Sequence, residues 1–414
     1  MTFTDLRIRQ PTSSILTTDS PVYLLVNGQG VFIFTNQDST DPAVFTFYNE
    51  DETDGLQVTF TTSNIVVRHT TDSQQYLDQA CFRGLVPQKG AYYWFSLDAQ
   101  NQQLYGGVGE SRMETVFYRY SLDVPKQVLE KLTHITFTAD EQLEPLALLR
   151  DPVRSKIPLV VRNTNRLDMD DIAHGTYMPV ANLNNVCQRM YDCISGPNFE
   201  LNTTDFPDFV DAIEYSIATP GMWCYEKLLS KASEFNPDSP NIQETYLRIT
   251  LGTNNGDSPG IPYVMEIWPV GHYSPVHNHA NANAIIRVLN GSIHVSLYAF
   301  LCNGEDQIQP FQSVDFNTDD VTWITANLNQ VHQLKNLDTN TNTCITIQCY
   351  MYSDDDNVHY DYFDYIGEDG EIEQYDPDSD MEFIAFKEQM RKEWDERPQA
   401  LRSTKRRRMT ARKH

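Results

Sequence analysis

Short apolar runs dominate the first third of the chain. They fall at 22–26, 31–34, 44–48, 56–61, 65–67, 92–97 and 115–120, and NGQG, NQDSTDP, EDETDG and DAQNQQ separate several of them. β-Branched and aromatic residues punctuated by Gly, Asn and Asp predict strands joined by turns. Several such strands at this spacing predict an antiparallel sandwich. The segment AYYWFSLDAQNQQLYGGVGESRMETVFYRY reads as its clearest hairpin, with Trp94 in the core rather than on a binding surface. Residues 124–153 mix a short helix with strand, and Asp151-Pro152 closes this unit.

The rhythm then changes. Residues 154–184 read as a connection with polar turns, and helical spacing follows at 184–194, 205–218 and 222–235. A second set of strands is expected at 246–251, 264–268, 284–289, 293–300, 321–324, 332–337 and 343–352. An acidic, Tyr-bearing stretch (353–380) should wrap the second unit as a solvated segment, and an amphipathic helix at 381–396 should stop before Pro398. The expected organisation is mainly β: a sandwich at 1–153, a linker at 154–184, a second domain at 185–398 and a basic, disordered tail at 399–414.

Charge narrows the function. The formal net charge is −26. Residues 401–414 hold seven Lys/Arg and no acid, so the remainder stands at −33. A body this acidic repels nucleic acid and anionic membranes. The tail alone could act as a nuclear address or touch nucleic acid, against the plainer reading of solvated charge. No apolar run is long enough to span a bilayer and MTFTDLRIRQ has no signal-peptide core, so a cytoplasmic location is expected, the tail leaving a nuclear one open. Seven Cys without CxxC spacing read as structural thiols in a reducing compartment.

The chemistry concentrates in WPVGHYSPVHNHANANAIIRVLNG, residues 268–291. His277 and His279 are two apart, so an extended backbone projects both imidazoles to one side. Neutral imidazoles suit a borderline transition metal, and Pro275 restricts the approach. A third ligand is needed, and His332, after an apolar run, is the candidate.

Gly271, His277, His279, Asn281, Gly291, His332 and Asn336 together resemble the two motifs of the cupins, and within them cysteine dioxygenase, over roughly residues 185–365. The resemblance implies a small β-barrel (jelly-roll) preceded by a few helices, with Fe(II) held by His277, His279 and His332. It further implies oxidation of cysteine or a related small thiol by O2 to the sulfinic acid. Tyr246-Leu247-Arg248 resembles the family's Tyr-x-Arg, which makes Arg248 and Tyr246 the substrate-binding candidates. Arg suits a carboxylate because its planar fork offers paired donors. An Arg buried there needs a water, an anion or a nearby acid beside it.

Three departures qualify the resemblance. Ala284 stands where many cupins carry Glu and animal cysteine dioxygenases carry a Cys linked to the active-site Tyr. The Pro-x-Gly before the third His is absent. The Ser-x-His-x-Tyr strand here reads Thr346-Ile347-Gln348-Cys349-Tyr350-Met351-Tyr352, with no His. Gln348 with Tyr350 or Tyr352 are the catalytic candidates, and the register leaves both tyrosines open. His272 and His359 are possible neighbours of the site. The other reading is a non-catalytic cupin and sandwich binding protein. Nothing in the sequence names a partner for the first domain.

Overall fold

The computed structural model describes residues 21–36, 41–71, 74–80, 92–138, 143–252, 262–301, 309–353 and 362–398. The basic tail, Cys81, Cys302 and His359 lie outside them. Among the described residues no helix is long and apolar enough to cross a membrane.

The first unit is a β-sandwich. One sheet orders its strands Val22–Tyr23, His134–Thr138, Ala43–Tyr48, Gly55–Phe60, Asn64–His69 and Gln75–Ala80; the other orders Leu143–Leu149, Gln29–Asn36, Tyr92–Asp98, Gln103–Val108 and Val116–Ser121. Every pairing is antiparallel. Inward residues alternate with outward ones, which stacks Phe32, Phe34, Phe45, Phe47, Phe60 and Phe95 between the sheets. The Phe32 and Phe95 rings stack at 4.8 Å, and Trp94 is buried as expected.

The second unit is a cupin-like barrel. Its larger sheet runs Met178–Pro179, Val161–Arg162, Val321–Ile324, Asn283–Asn290, Cys344–Met351, Tyr263–Trp268, Leu247–Gly252 and Met381–Glu382. Facing it are Gln312–Asn317, Ser292–Leu297 and His332–Lys335, with the hairpin Phe363–Ile366/Ile372–Tyr375. Six of the expected barrel strands match within two residues at each end; the seventh, expected at 293–300, stops at Leu297. The strand Gln312–Asn317 was not expected, because QSVDFN offers only two apolar residues and, of its six, only Phe316 is buried in this edge strand.

Helices Asn185–Ile194, Phe209–Ala218 and Trp223–Ser230 precede the barrel, and Phe383–Glu396 closes over Phe209 and Trp223 through Phe386. Residues 154–184, expected as a connection, add two edge strands, and Ile157, Val161, Met178 and Leu183 enter the barrel core. The acidic stretch does wrap the barrel where described: Phe363 and Tyr365 are buried. Cys187, Cys224, Cys344 and Cys349 are buried thiols, and Cys193 is exposed.

The motif glycines have a mechanical reason. Gly291 turns between two strands at φ 75°, and a Cβ there would lie 2.7 Å from the Thr343 carbonyl. A side chain would meet both the left-handed backbone and that contact. Gly291→Ala should therefore lower unfolding free energy by about 2 kcal/mol or more, read by chemical denaturation; an unchanged midpoint contradicts the stated constraint.

Candidate metal centre

His277 and His279 sit on an extended segment rather than in a regular strand. Pro275 has no N–H to donate, and Ala280 and Asn281 turn the chain with φ of 50° and 61°. Asn tolerates this left-handed region better than most residues, which accounts for Asn281 in the motif. His277 still bridges His332, each N–H donating to the other's carbonyl at 3.0 Å. Both imidazoles point into the barrel, with ring centres 5.0 Å apart.

The three histidines each offer a ring nitrogen, and these nitrogens lie within 4.8 Å of one another. His277 Nδ1 is 3.0 Å from the Pro275 carbonyl, and His332 Nδ1 is 3.3 Å from the Asn329 carbonyl. A carbonyl only accepts, so both rings carry hydrogen on Nδ1 and keep the Nε2 lone pair for the cavity. His279 Nε2 lies 3.1 Å from His332 Nε2, while its Nδ1 is buried without a hydrogen-bond partner. Two nitrogens about 2.1 Å from one ion and roughly a right angle apart stand about 3.0 Å from each other. The donor set thus fits one divalent transition metal with positions left for other ligands.

Burial keeps these rings uncharged. Desolvation pulls the His277 pKa down to about 4, and desolvation together with His277 brings His332 to about 3. His279 is pushed well below its ordinary value by burial and by its two neighbours.

The opposite wall is polar and paired. Arg248 is fully buried and lines the cavity. Its Nη1 is 3.6 Å from the Glu266 carboxylate, whereas Nε and Nη2 have no hydrogen-bond partner. Glu266 is the acid that a buried Arg requires. It accepts from Gln348 Nε2 at 2.5 Å, and Gln348 Oε1 in turn accepts from the Tyr350 hydroxyl. Burial raises the carboxyl pKa of Glu266, with Arg248 and Gln348 pulling it back. Tyr350 is raised by its own burial and is a neutral donor. Its ring stacks on His279 at 5.4 Å, and Phe363 meets His279 edge-on at 4.7 Å. Tyr246 stacks on Trp268 at 4.1 Å and lines the cavity beside Arg248. The cavity volume is about 50 Å³, room for a small ligand.

Residues 226–361 match the family model described as cysteine dioxygenase type I. The cysteine dioxygenase-like segment is about a third of the chain, and it begins later than the residue 185 expected from the helices. No curated protein compared with the chain matches it. Among solved structures the chain is similar to galectin LEC-6 of Caenorhabditis elegans, at 10% identity over 33% of this chain and 91% of that one, TM-score 0.25. It is also similar to sheep galectin-11, at 14% identity over 31% and 93%, TM-score 0.23. A third is DMSP lyase DddQ of Ruegeria pomeroyi DSS-3, at 15% identity over 23% and 39%, TM-score 0.17.

Inside the cysteine dioxygenase-like segment, the barrel brings His277, His279, His332, Arg248, Tyr246, Gln348 and Tyr350 to one cavity. Tyr352 is buried but is not part of its lining, and Ala284 lies directly across from Tyr350 in the strand pairing. Thr346 shares the Gln348 face and accepts from its amide at 3.2 Å. His272 turns instead to the Thr245 carbonyl, and His294 is a surface partner of Asp315.

Glu266, Phe363 and Asn329 were missed. Glu266 left a signal: an acid inside the apolar run VMEIW has to be paired or functional. Phe363 and Asn329 left none, since only the fold carries them to the histidines.

The depressed imidazoles bind protons more tightly in the unfolded chain than in the folded one. Their contribution to stability is full above about pH 6.5 and is lost as pH falls toward the folded values near 4 and 3. In metal-free protein the loss should be roughly 1.4 kcal/mol per pH unit for each imidazole kept uncharged. Urea unfolding at pH 7, 6 and 5 checks this, and a flat profile contradicts the burial argument.

Proposed function

We propose that this protein is an iron-dependent thiol dioxygenase that converts cysteine, or a related small thiol carrying a carboxylate, to its sulfinic acid: RSH + O2 → RSO2H. The observation that carries the reading is three uncharged imidazoles converging across a small buried cavity from an arginine whose Nε and Nη2 are unpaired. His277, His279 and His332 would hold Fe(II). The metal, when bound, supplies the redox chemistry with O2 and, as the nearest strong positive charge, favours the thiolate form of the substrate.

The remaining roles belong to the protein. The Nε–Nη2 edge of Arg248 is the side of a guanidinium that takes a carboxylate through two parallel bonds. Glu266 occupies Nη1 and neutralises the arginine before substrate arrives. Tyr246 walls the pocket beside Arg248. The Tyr350 hydroxyl is held by Gln348, which does the orienting work expected of the family's His, and Tyr350 is preferred over Tyr352 as the group that donates into the site. Phe363, packed on His279, excludes water from the reacting atoms.

The missing family His favours a second reading, a non-catalytic metal-binding cupin. Metal analysis of purified protein followed by oxygen uptake with cysteine, 3-mercaptopropionate and cysteamine separates the two. Iron with sulfinate formation is expected; iron-loaded protein that consumes no O2 with any of the three overturns the dioxygenase reading. His332→Ala should abolish iron binding, read as iron content after purification.

Removing the arginine alone would strand a buried acid, so Arg248→Ala is best combined with Glu266→Gln. The pair should raise KM for cysteine roughly 10–100-fold, the worth of a charge-assisted bidentate contact, and leave cysteamine, which has no carboxylate, little changed. Equal effects on both thiols contradict a carboxylate role. A cytoplasmic setting fits the buried thiols.

A further inference from the structure

The loop that carries His332 is gripped from outside the barrel. Glu110, Arg112 and Glu114 lie in the sandwich, in the connection between Gln103–Val108 and Val116–Ser121. Arg112 is 0% exposed although it sits between two units of the chain. Its Nη1 donates to Asn329 Oδ1 at 2.6 Å and its Nη2 to the Ile157 carbonyl at 3.1 Å. Glu110 and Glu114 each approach the guanidinium to 3.1 Å, and Phe311 lies over it at 5.0 Å. Glu110 also accepts the Gln330 N–H at 3.0 Å, and Glu114 the Ile157 N–H at 2.9 Å.

What is gripped matters. Asn329 holds a left-handed backbone, φ 62°, and its Nδ2 donates to the Trp323 carbonyl at 3.0 Å. Its own carbonyl receives His332 Nδ1. Gln330, next along, donates to the carbonyls of Ala282 and Thr325 at 2.9 and 2.8 Å and accepts the Asn281 N–H at 3.1 Å. Of the two residues contacted by Glu110 and Arg112, Gln330 therefore ties the His332 loop to the turn that follows His279, and Asn329 meets His332 itself.

We infer that Arg112, balanced by Glu110 and Glu114, is a positioning residue for the metal centre: the sandwich sets Asn329, and through its carbonyl the aim of the His332 imidazole. The inference rests on the reading that the three histidines hold a metal. Three buried charges are a weak source of stability, since an apolar plug of the same volume often does as well. What a guanidinium provides that a plug cannot is a rigid set of donors in fixed directions. Groups that orient a ligating histidine from behind commonly alter metal affinity 10–100-fold when removed. A contact that merely glued the two units together would change stability and leave the metal untouched.

Asn329→Gly tests this with little risk to folding. Glycine accepts the left-handed backbone and keeps the carbonyl that meets His332, so what is lost is the side chain, with its bonds to Arg112 and to the Trp323 carbonyl. Co(II) binding to the full chain, read by competition titration and by the visible absorption bands of the bound ion, should weaken about 10–100-fold, with shifted bands. Arg112→Met with Glu110→Gln removes the same contact from the sandwich side at unchanged net charge and should give the same shift. Combined with Asn329→Gly the effects should be less than additive, because the Arg112–Asn329 contact is common to both. Phe95→Leu, which loosens the sandwich core, should leave Co(II) affinity and bands as they were. Wild-type affinity and bands in Asn329→Gly, additive effects, or an equal loss in Phe95→Leu would each overturn the inference. Failure of the unmutated chain to bind Co(II) would instead remove the metal reading beneath it, and the inference with it.

Discussion

The site depends on keeping three imidazoles neutral and aimed at one point inside an apolar barrel. Neutrality comes from burial, which makes an imidazolium costly. Aim comes from main-chain carbonyls: Pro275 and Asn329 each take an Nδ1 hydrogen, which leaves Nε2 turned inward. His279 has no such partner, and its ring is held by packing between Tyr350 and Phe363. Imidazole donors, aromatic walls and barrel closure are therefore one arrangement.

Across the cavity the same low-polarity setting creates the opposite demand. A guanidinium cannot shed its charge, so burying Arg248 obliges the fold to supply an anion. Glu266, opposite it in the neighbouring strand, meets that need, and Gln348 and Tyr350 extend the chain of hydrogen bonds from the same side. Gln348 is the link in that chain. An amide can accept from Tyr350 and donate to Glu266 at once, so a neutral, non-titrating group links the tyrosine to the ion pair.

The two β units are interlocked. Phe300, from the barrel, completes the sandwich's aromatic core, and the close approach of Gly109 to the Ala299 carbonyl leaves no space for a side chain. Arg154 pairs with Asp98, and the Val153 N–H donates to Ser96, so the chain leaving the sandwich stays bound to it. The buried Arg112 cluster lies at this junction and donates to Asn329, whose own carbonyl meets His332 Nδ1.

Much of this was legible in the chain. Strand-length apolar runs, turn residues and the His-x-His with its flanking glycines depend on local backbone preference, so the mainly β architecture and most barrel strands could be read directly. The lone acid of VMEIW was readable too, though not its partner. Three matters needed the tertiary structure. Tyr350 and Tyr352 share one strand face by alternation, and only the closure of the barrel puts Tyr350 in the cavity wall and Tyr352 elsewhere. Phe363 reaches His279 from far along the chain, and Arg112 reaches Asn329 across 217 residues. Local pattern fixes which face a side chain takes, because that is set by the backbone of its neighbours. What it meets there is set by where distant segments come to rest, and no spacing rule carries that information.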